Sequence, residues 1–286
     1  VYIAMRTLLK KDDHAIVIVP NYQAAETLPL DICEVTGVPL DPEDNWSLDI
    51  DRVKRAIRPN TKLISINFPN NPTGAVLERS RFDALIDVCR KRGIYLFSDE
   101  VYRLVEREAA IRLPQAADVY ERGLSLNVMS KAYGLPGLRI GWIMTKDTDV
   151  LQKMERYKHY LSICNSAPSE YLSILALKVR EQILERNRKL VNSNAEKLNQ
   201  FFSEFPEYFE WSRPDGGCVG YPLYKGTEGA DQFCETLVDK TGILLLPPSI
   251  YHSELLETPK DRFRIGFGRK NIDKGLDIFH RYLNDK

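Results

Sequence analysis

The sequence predicts an α/β fold: a mostly parallel sheet sandwiched by helices, followed by a smaller C-terminal α+β unit. Three observations predict it. Short apolar runs rich in β-branched residues recur at 15–20 (AIVIVP), 62–69 (KLISINFP), 93–100 (GIYLFSDE), 124–130 (LSLNVMS) and 139–145 (RIGWIMT). Helix-patterned segments separate several of them, and alternating strands and helices make βα units with a parallel sheet. The strands are apolar without interruption, which suits a sheet covered on both faces.

The chain opens on VYIAMRTLLKK, which reads as a helix already under way. No Ser, Thr, Asp or Asn cap precedes it, so we expect a missing N-terminal part. Residues 49–57 (DIDRVKRAI) predict a short helix. The segment LERSRFDALIDVCRKRG spaces Phe82, Leu85, Ile86 and Val88 at helical intervals and ends in Arg/Lys and Gly93, as a helix C-terminus does. Beyond about residue 168 the texture changes. Helical spacing runs for a long stretch and predicts two consecutive helices, the second one long. Strand candidates follow at 217–224, 242–248 and 261–268, with helical stretches at 229–240 and 271–284. We divide the chain into a large domain, 1–184, and a small C-terminal domain, 185–286.

Composition excludes several classes. Of 286 residues, 43% are apolar and 28% charged, with 40 basic against 40 acidic residues, so neither a nucleic-acid nor a membrane-surface partner is expected. No apolar run approaches the ~20 residues needed to span a bilayer. The five cysteines, Cys33, Cys89, Cys164, Cys218 and Cys234, lack the C-x-x-C spacing of a zinc site. Reduced thiols, no metal and a cytoplasmic location are the expectation.

In open α/β sheets, ligands bind beyond the carboxyl ends of the strands. Past 62–68 stand Asn70 and Asn71; past 93–98 stand Asp99 and Tyr102; past 124–129 stands Lys131. Taken singly, each has a bland explanation as turn, helix cap or solvated charge. Three neighbouring strand ends that offer an amide, a carboxylate with a phenol, and an amine are a different matter.

These residues lie in NNPTG (70–74), SDEVYR (98–103), SKAYGLPGLRIGW (130–142) and RIGFGR (264–269). In that order and spacing the chain resembles the fold-type I, pyridoxal-phosphate-dependent aminotransferases of class I/II. Relatives are longer at the N-terminus. The resemblance implies pyridoxal 5'-phosphate as cofactor, with Lys131 forming the Schiff base to its aldehyde. A lysine amine attacks a carbonyl only when neutral, and burial beside other cations favours that form. Gly134, Pro136 and Gly137 then turn the chain so that Arg139, the implied phosphate-binding arginine, faces the same site.

The resemblance further implies Asp99 against the pyridine nitrogen, Tyr102 and Asn71 on the ring oxygen, Tyr22 stacked on the ring and Ser130 on the phosphate. Arg264 resembles the arginine that clamps the substrate α-carboxylate. Arg262 and Arg269 read as surface charge, and His159 and His252 as structural. Relatives often carry Ser or Thr where this chain has Val128, and bind the phosphate with a loop just N-terminal to the segment that begins here at Val1. Cys218 stands where an aromatic often follows the two glycines of RPDGGCVGYP, leaving room for a bulkier substrate. Ser166 or Ser169 caps a helix, in a segment that in relatives approaches the neighbouring subunit's phosphate.

The implied activity is transfer of an amino group between an L-amino acid and a 2-keto acid, ping-pong, by a homodimer. Lyase, decarboxylase or cyclase chemistry on the same scaffold is the alternative. A binding protein without cofactor is a third reading, and the intact residue set argues against it.

Overall fold

A computed structural model describes all residues, Val1–Lys286. The first helix, α1 (Tyr2–Leu8), is in place as expected, and β1 (His14–Val19) follows. Then come α2 (Gln23–Leu30), β2 (Glu34–Asp41), β3 (Ser47–Leu48), α3 (Ile50–Ala56), β4 (Thr61–Asn67), α4 (Arg79–Arg92) and β5 (Tyr95–Asp99). A short α5 (Ala116–Val119) leads to β6 (Gly123–Val128), β7 (Gly141–Thr145), α6 (Thr148–Leu161), α7 (Ala167–Lys178) and the long α8 (Arg180–Ser203).

The local chemistry explains these boundaries. Asp49 caps α3 by accepting from the Asp51 and Arg52 amides. Gly93 ends α4 in the left-handed region, φ 65°. Ser166 occupies the N-cap of α7 without a side-chain hydrogen bond, and the Ser169 carbonyl accepts from Ser173.

The main sheet has seven strands in the order β3-β2-β1-β4-β5-β6-β7. Neighbours from β2 to β6 are parallel; the edge strands β3 and β7 are antiparallel. Side chains alternate between faces as a pleated strand requires. Ile16, Ile18, Ile64, Ile66 and Leu96 pack on Phe82, Leu85 and Ile86 of α4. Ala15, Leu63, Phe97 and Leu124 face the other way, onto α1 and α6. Each fully buried Ile or Leu of this kind contributes about 1.5–3 kcal/mol. The sheet is thus covered on both faces.

The sequence reading missed β2, α2 and α6. In β2, Gly37 and Pro39 dilute the apolar pattern, and in α2 Pro29 obscures the helical one. The remaining elements are β8 (Phe209–Glu210), β9 (Val219–Gly220), β10 (Leu223–Tyr224), α9 (Ala230–Thr241), β11 (Ile265–Gly266) and α10 (Ile272–Asn284). No strand forms over 242–248, where Pro247 and Pro248 remove two backbone donors; only an isolated bridge joins Leu246 to Arg264.

A second core, from Val191 to Leu283, gathers Phe201, Phe202, Phe209, Phe233, Phe263 and Phe279. Along α8 the packing changes hands: Leu184 belongs with Met129 and Tyr102, whereas Val191 onward joins the second core.

Candidate active site

The chemistry collects where β4, β5 and β6 end. Asn67, the last residue of β4, is the register partner of Asp99, the last of β5. Its amide Nδ2 donates to the Asp99 carbonyl at 2.9 Å, and its Oδ1 accepts from the Asn71 backbone N–H at 2.9 Å. One buried asparagine therefore ties the two strand ends together, and the sequence reading did not single it out. Within the turn, Asn70 Oδ1 accepts from the Thr73 hydroxyl (2.8 Å), and Asn70 Nδ2 donates to the Pro20 carbonyl (3.3 Å). That last bond joins the loop carrying Tyr22 to the same turn. Gly74, at φ 72°, allows a close approach: a Cβ there would lie 2.4 Å from Pro214 and 2.6 Å from the Val219 carbonyl.

Asp99 is buried, with Oδ1 accepting from the Val101 amide at 3.2 Å. Burial pushes its carboxyl up to about 6; the Val101 amide and the charge of Lys131 oppose that rise. Tyr102, 2% exposed, follows in a tight turn closed by Arg103 N–H to Glu100 C=O. Burial raises its phenol pKa, while Arg264 pulls the other way. Lys131 Nζ lies 5.4 Å from the Tyr102 ring centroid, with neither an ion pair nor a hydrogen bond of its own; the Lys131 carbonyl accepts from Gly134 N–H. Lys131 is exposed, so the burial expected for it is not found: its loop sits at the open end of the sheet. The loop itself is clamped. Asn187 of α8 donates to the Ala132 carbonyl at 2.8 Å, and Gly134 turns back at φ 65°.

The C-terminal part closes the site from the other side. Arg264 Nη1 donates to Asn71 Oδ1 at 3.2 Å, and its buried Nε has no partner. Tyr251 also donates to Asn71 Oδ1, at 3.4 Å. Cys218 faces Lys131 and Arg264, and burial raises its thiol pKa. Arg262 departs from the surface-charge reading. It lies over the Trp46 ring at 5.1 Å and donates to the Tyr221 carbonyl.

Asn71, Asp99, Tyr102, Lys131 and Arg264 thus come together. Tyr22, Ser130 and Arg139 stand on the surrounding loops without a bond to that cluster. Tyr22 is 51% exposed, and Arg139, at φ 55°, donates to the Pro136 carbonyl. The arrangement can hold an anionic, planar ligand. It offers a free amine, a buried carboxyl, and an arginine with a donor to spare.

Residues 1–278 match the sequence profile described as aminotransferase class I and II. The fold superposes with a TM-score of 0.91 on the crystal structure of a PLP-dependent aminotransferase from Streptococcus suis 89-1591, at 31% identity, covering 99% of this chain and 74% of that one. Capreomycidine synthase of Streptomyces vinaceus is 26% identical over 279 residues, 96% of this chain and 69% of that protein. Aspartate aminotransferase of Pyrococcus horikoshii is 26% identical over 254 residues, 87% of this chain and 64% of that protein. The chain spans about two thirds of the length of these curated relatives.

Proposed function

The chain belongs to the class I and II aminotransferases, and from that premise we propose that it moves an amino group between an L-amino acid and a 2-keto acid with pyridoxal 5'-phosphate. The observation that carries this reading is the convergence of Lys131, Asp99, Tyr102 and Asn71 at three adjacent strand ends, facing Arg264. The donor set fits the cofactor. A buried carboxyl suits a cationic ring nitrogen, an unpaired amine suits an aldehyde, and the orphaned Arg264 Nε suits a second acceptor.

Lys131 would hold the aldehyde end and Asp99 the ring nitrogen. Asn71 and Tyr102 would donate to the ring oxygen, and Tyr22 would cover the ring face. Ser130 and Arg139 would take the phosphate. When bound, the cofactor supplies an electron sink for the charge left on the substrate's α-carbon. Arg264 binds and orients the substrate carboxylate through its planar fork. Lys131 Nζ takes the α-proton and later returns a proton, the general acid–base role of the site. Replacing Lys131 by Ala removes both functions, and turnover is expected to fall by about 10³-fold or more with the fold retained. Activity above a few per cent of wild type, in an amino-acid half-reaction followed by cofactor absorbance, would refute the role.

A second reading is elimination, decarboxylation or cyclisation of an amino acid. It is supported by the similarity to capreomycidine synthase over 96% of the chain. Keto-acid-dependent turnover favours transamination; release of ammonia or CO₂ without a keto-acid acceptor favours the alternative.

A homodimer is part of the proposal. Tyr160, Ile163, Tyr171, Leu172 and Ile174, on α6, α7 and the turn between them, are apolar or aromatic and all at least half exposed, and a second copy would cover them. Light scattering that returned a monomer would remove it. The five unpaired cysteines support a reducing, cytoplasmic setting, and no helix is long and apolar enough to cross a membrane. The division into 1–184 and 185–286 is supported by the change of core along α8.

A further inference from the structure

Tyr251 is absent from every motif discussed so far, yet it is 5% exposed and reaches the centre of the cluster. The backbone explains how it gets there. Leu246 and Arg264 exchange both backbone hydrogen bonds, 3.0 and 2.8 Å. From that pair the chain leaves as a strap, through a helical turn at Pro248–Tyr251. One strand bridge therefore positions both Arg264 and Tyr251.

The strap is fastened along its length. The Ser249 hydroxyl donates to Asp231, and Gln23 Nε2 of α2 donates to the Ile250 carbonyl at 2.9 Å. Beyond Tyr251, the buried carboxylate of Glu26, also on α2, accepts from the Ser253 hydroxyl and the Glu254 N–H, both at 2.8 Å. The strap continues over β2, where Leu255 and Leu256 lie about as close to Gly37 as a Cβ there would allow. The Tyr251 ring is wedged edge-on against Tyr221, centroids 5.7 Å apart. A phenol held this firmly, with its oxygen on the Asn71 amide, constrains which way that amide faces.

We propose that Tyr251 is a positioning residue of the reaction: with Arg264 it donates to Asn71 Oδ1, and so holds the Asn71 amide with Nδ2 directed to the ligand, the strap being locked by Glu26. The chemistry is that of an amide with two ends. Its oxygen is saturated by two donors, so its nitrogen is left to donate. Losing one of those donors lets the amide turn, and a ligand oxygen then loses its partner. The inference rests on the reading of the site given under Proposed function.

The test is a titration of pyridoxal phosphate into ligand-free wild type, Tyr251→Phe and Ser253→Ala, followed by visible absorbance, with melting temperatures alongside. Tyr251→Phe keeps the ring and removes only the hydroxyl. Its dissociation constant is expected to rise about 3- to 10-fold, the effect of one hydrogen bond, with a displaced absorption maximum. Ser253→Ala, which loosens the strap without touching Asn71, is expected to move both in the same direction by less. Wild-type affinity and spectrum in Tyr251→Phe overturn the proposal. So does a lowered melting temperature with an unchanged spectrum, which marks a packing role alone. If wild type itself takes up no pyridoxal phosphate, the reading of the whole site falls; if wild type does and Tyr251→Phe matches it, only the role of Tyr251 falls.

Discussion

Two halves of the site are built differently. On the sheet side, Asn71, Asp99 and Lys131 each stand within a few residues of a strand end, and the parallel register of β4, β5 and β6 makes those ends neighbours. On the C-terminal side, Cys218, Tyr251 and Arg264 arrive on two-residue strands, an isolated bridge and a strap. The first half needs only the sheet to form. The second needs contacts between residues far apart in the chain, such as Tyr251 with Asn71 and Ser253 with Glu26. A sheet delivers functional groups through repetitive backbone pairing, whereas a strap delivers them through specific side-chain locks. Substitutions should therefore act differently in the two halves.

The strongest way to break the comparison is Asp99→Asn. Asparagine can still accept from the Val101 amide but cannot hold a cation, so activity is expected to fall at least about 100-fold. Stability should move the other way in the ligand-free protein. The folded carboxyl titrates at about 6 against an ordinary 3.8. A raised carboxyl favours the native state fully below the ordinary value, and that advantage is lost as pH rises through about 6. At pH 7–8 the Asn variant should be more stable, by an amount on the order of 2–3 kcal/mol, and at about pH 3, below the ordinary value, the two should coincide. Denaturant titrations at both pH values check it. A variant less stable than wild type at pH 8 would contradict the buried-carboxyl reading.

A smaller effect sharpens the contrast. Gly216 packs on the Asn71 turn, and a Cβ there would lie 2.6 Å from Pro69 Cγ and 2.8 Å from its Cβ. Gly216→Ala is expected to lose about 1–3 kcal/mol and several-fold in kcat/KM, because the two halves meet at that point. Gly137, in the loop after Lys131, has nothing within 4 Å of a Cβ. Gly137→Ala should shift stability by no more than about 0.5 kcal/mol. Equal losses at the two positions, measured by urea unfolding, would remove the distinction between a packed seam and an open loop.

Much of the sheet side was legible because its signals are local. Five apolar runs bounded by turns predicted five strands of the seven-stranded sheet, and Gly93 ended α4 as read. The two strands at one end of the sheet, β2 and β3, were not legible. Glu34, Gly37 and Pro39 blur β2, and β3 is two residues long. Among the C-terminal strand candidates, 217–224 and 261–268 hold strands and 242–248 does not: it is apolar, but Pro247 and Pro248 limit its pairing to the bridge between Leu246 and Arg264.

What the amino-acid order settled by itself was the set of strands and the residues at their ends, because strand periodicity and turn chemistry act over a few neighbours. What only the tertiary structure decided was who joins them. Asn67 ties two strand ends, Asn187 holds the lysine loop, and Tyr251 and Arg264 share one amide oxygen across 180 and 193 residues of chain. Such contacts leave no local pattern, since their partners lie far apart in the chain and meet only once the sheet and the C-terminal part have folded and packed together.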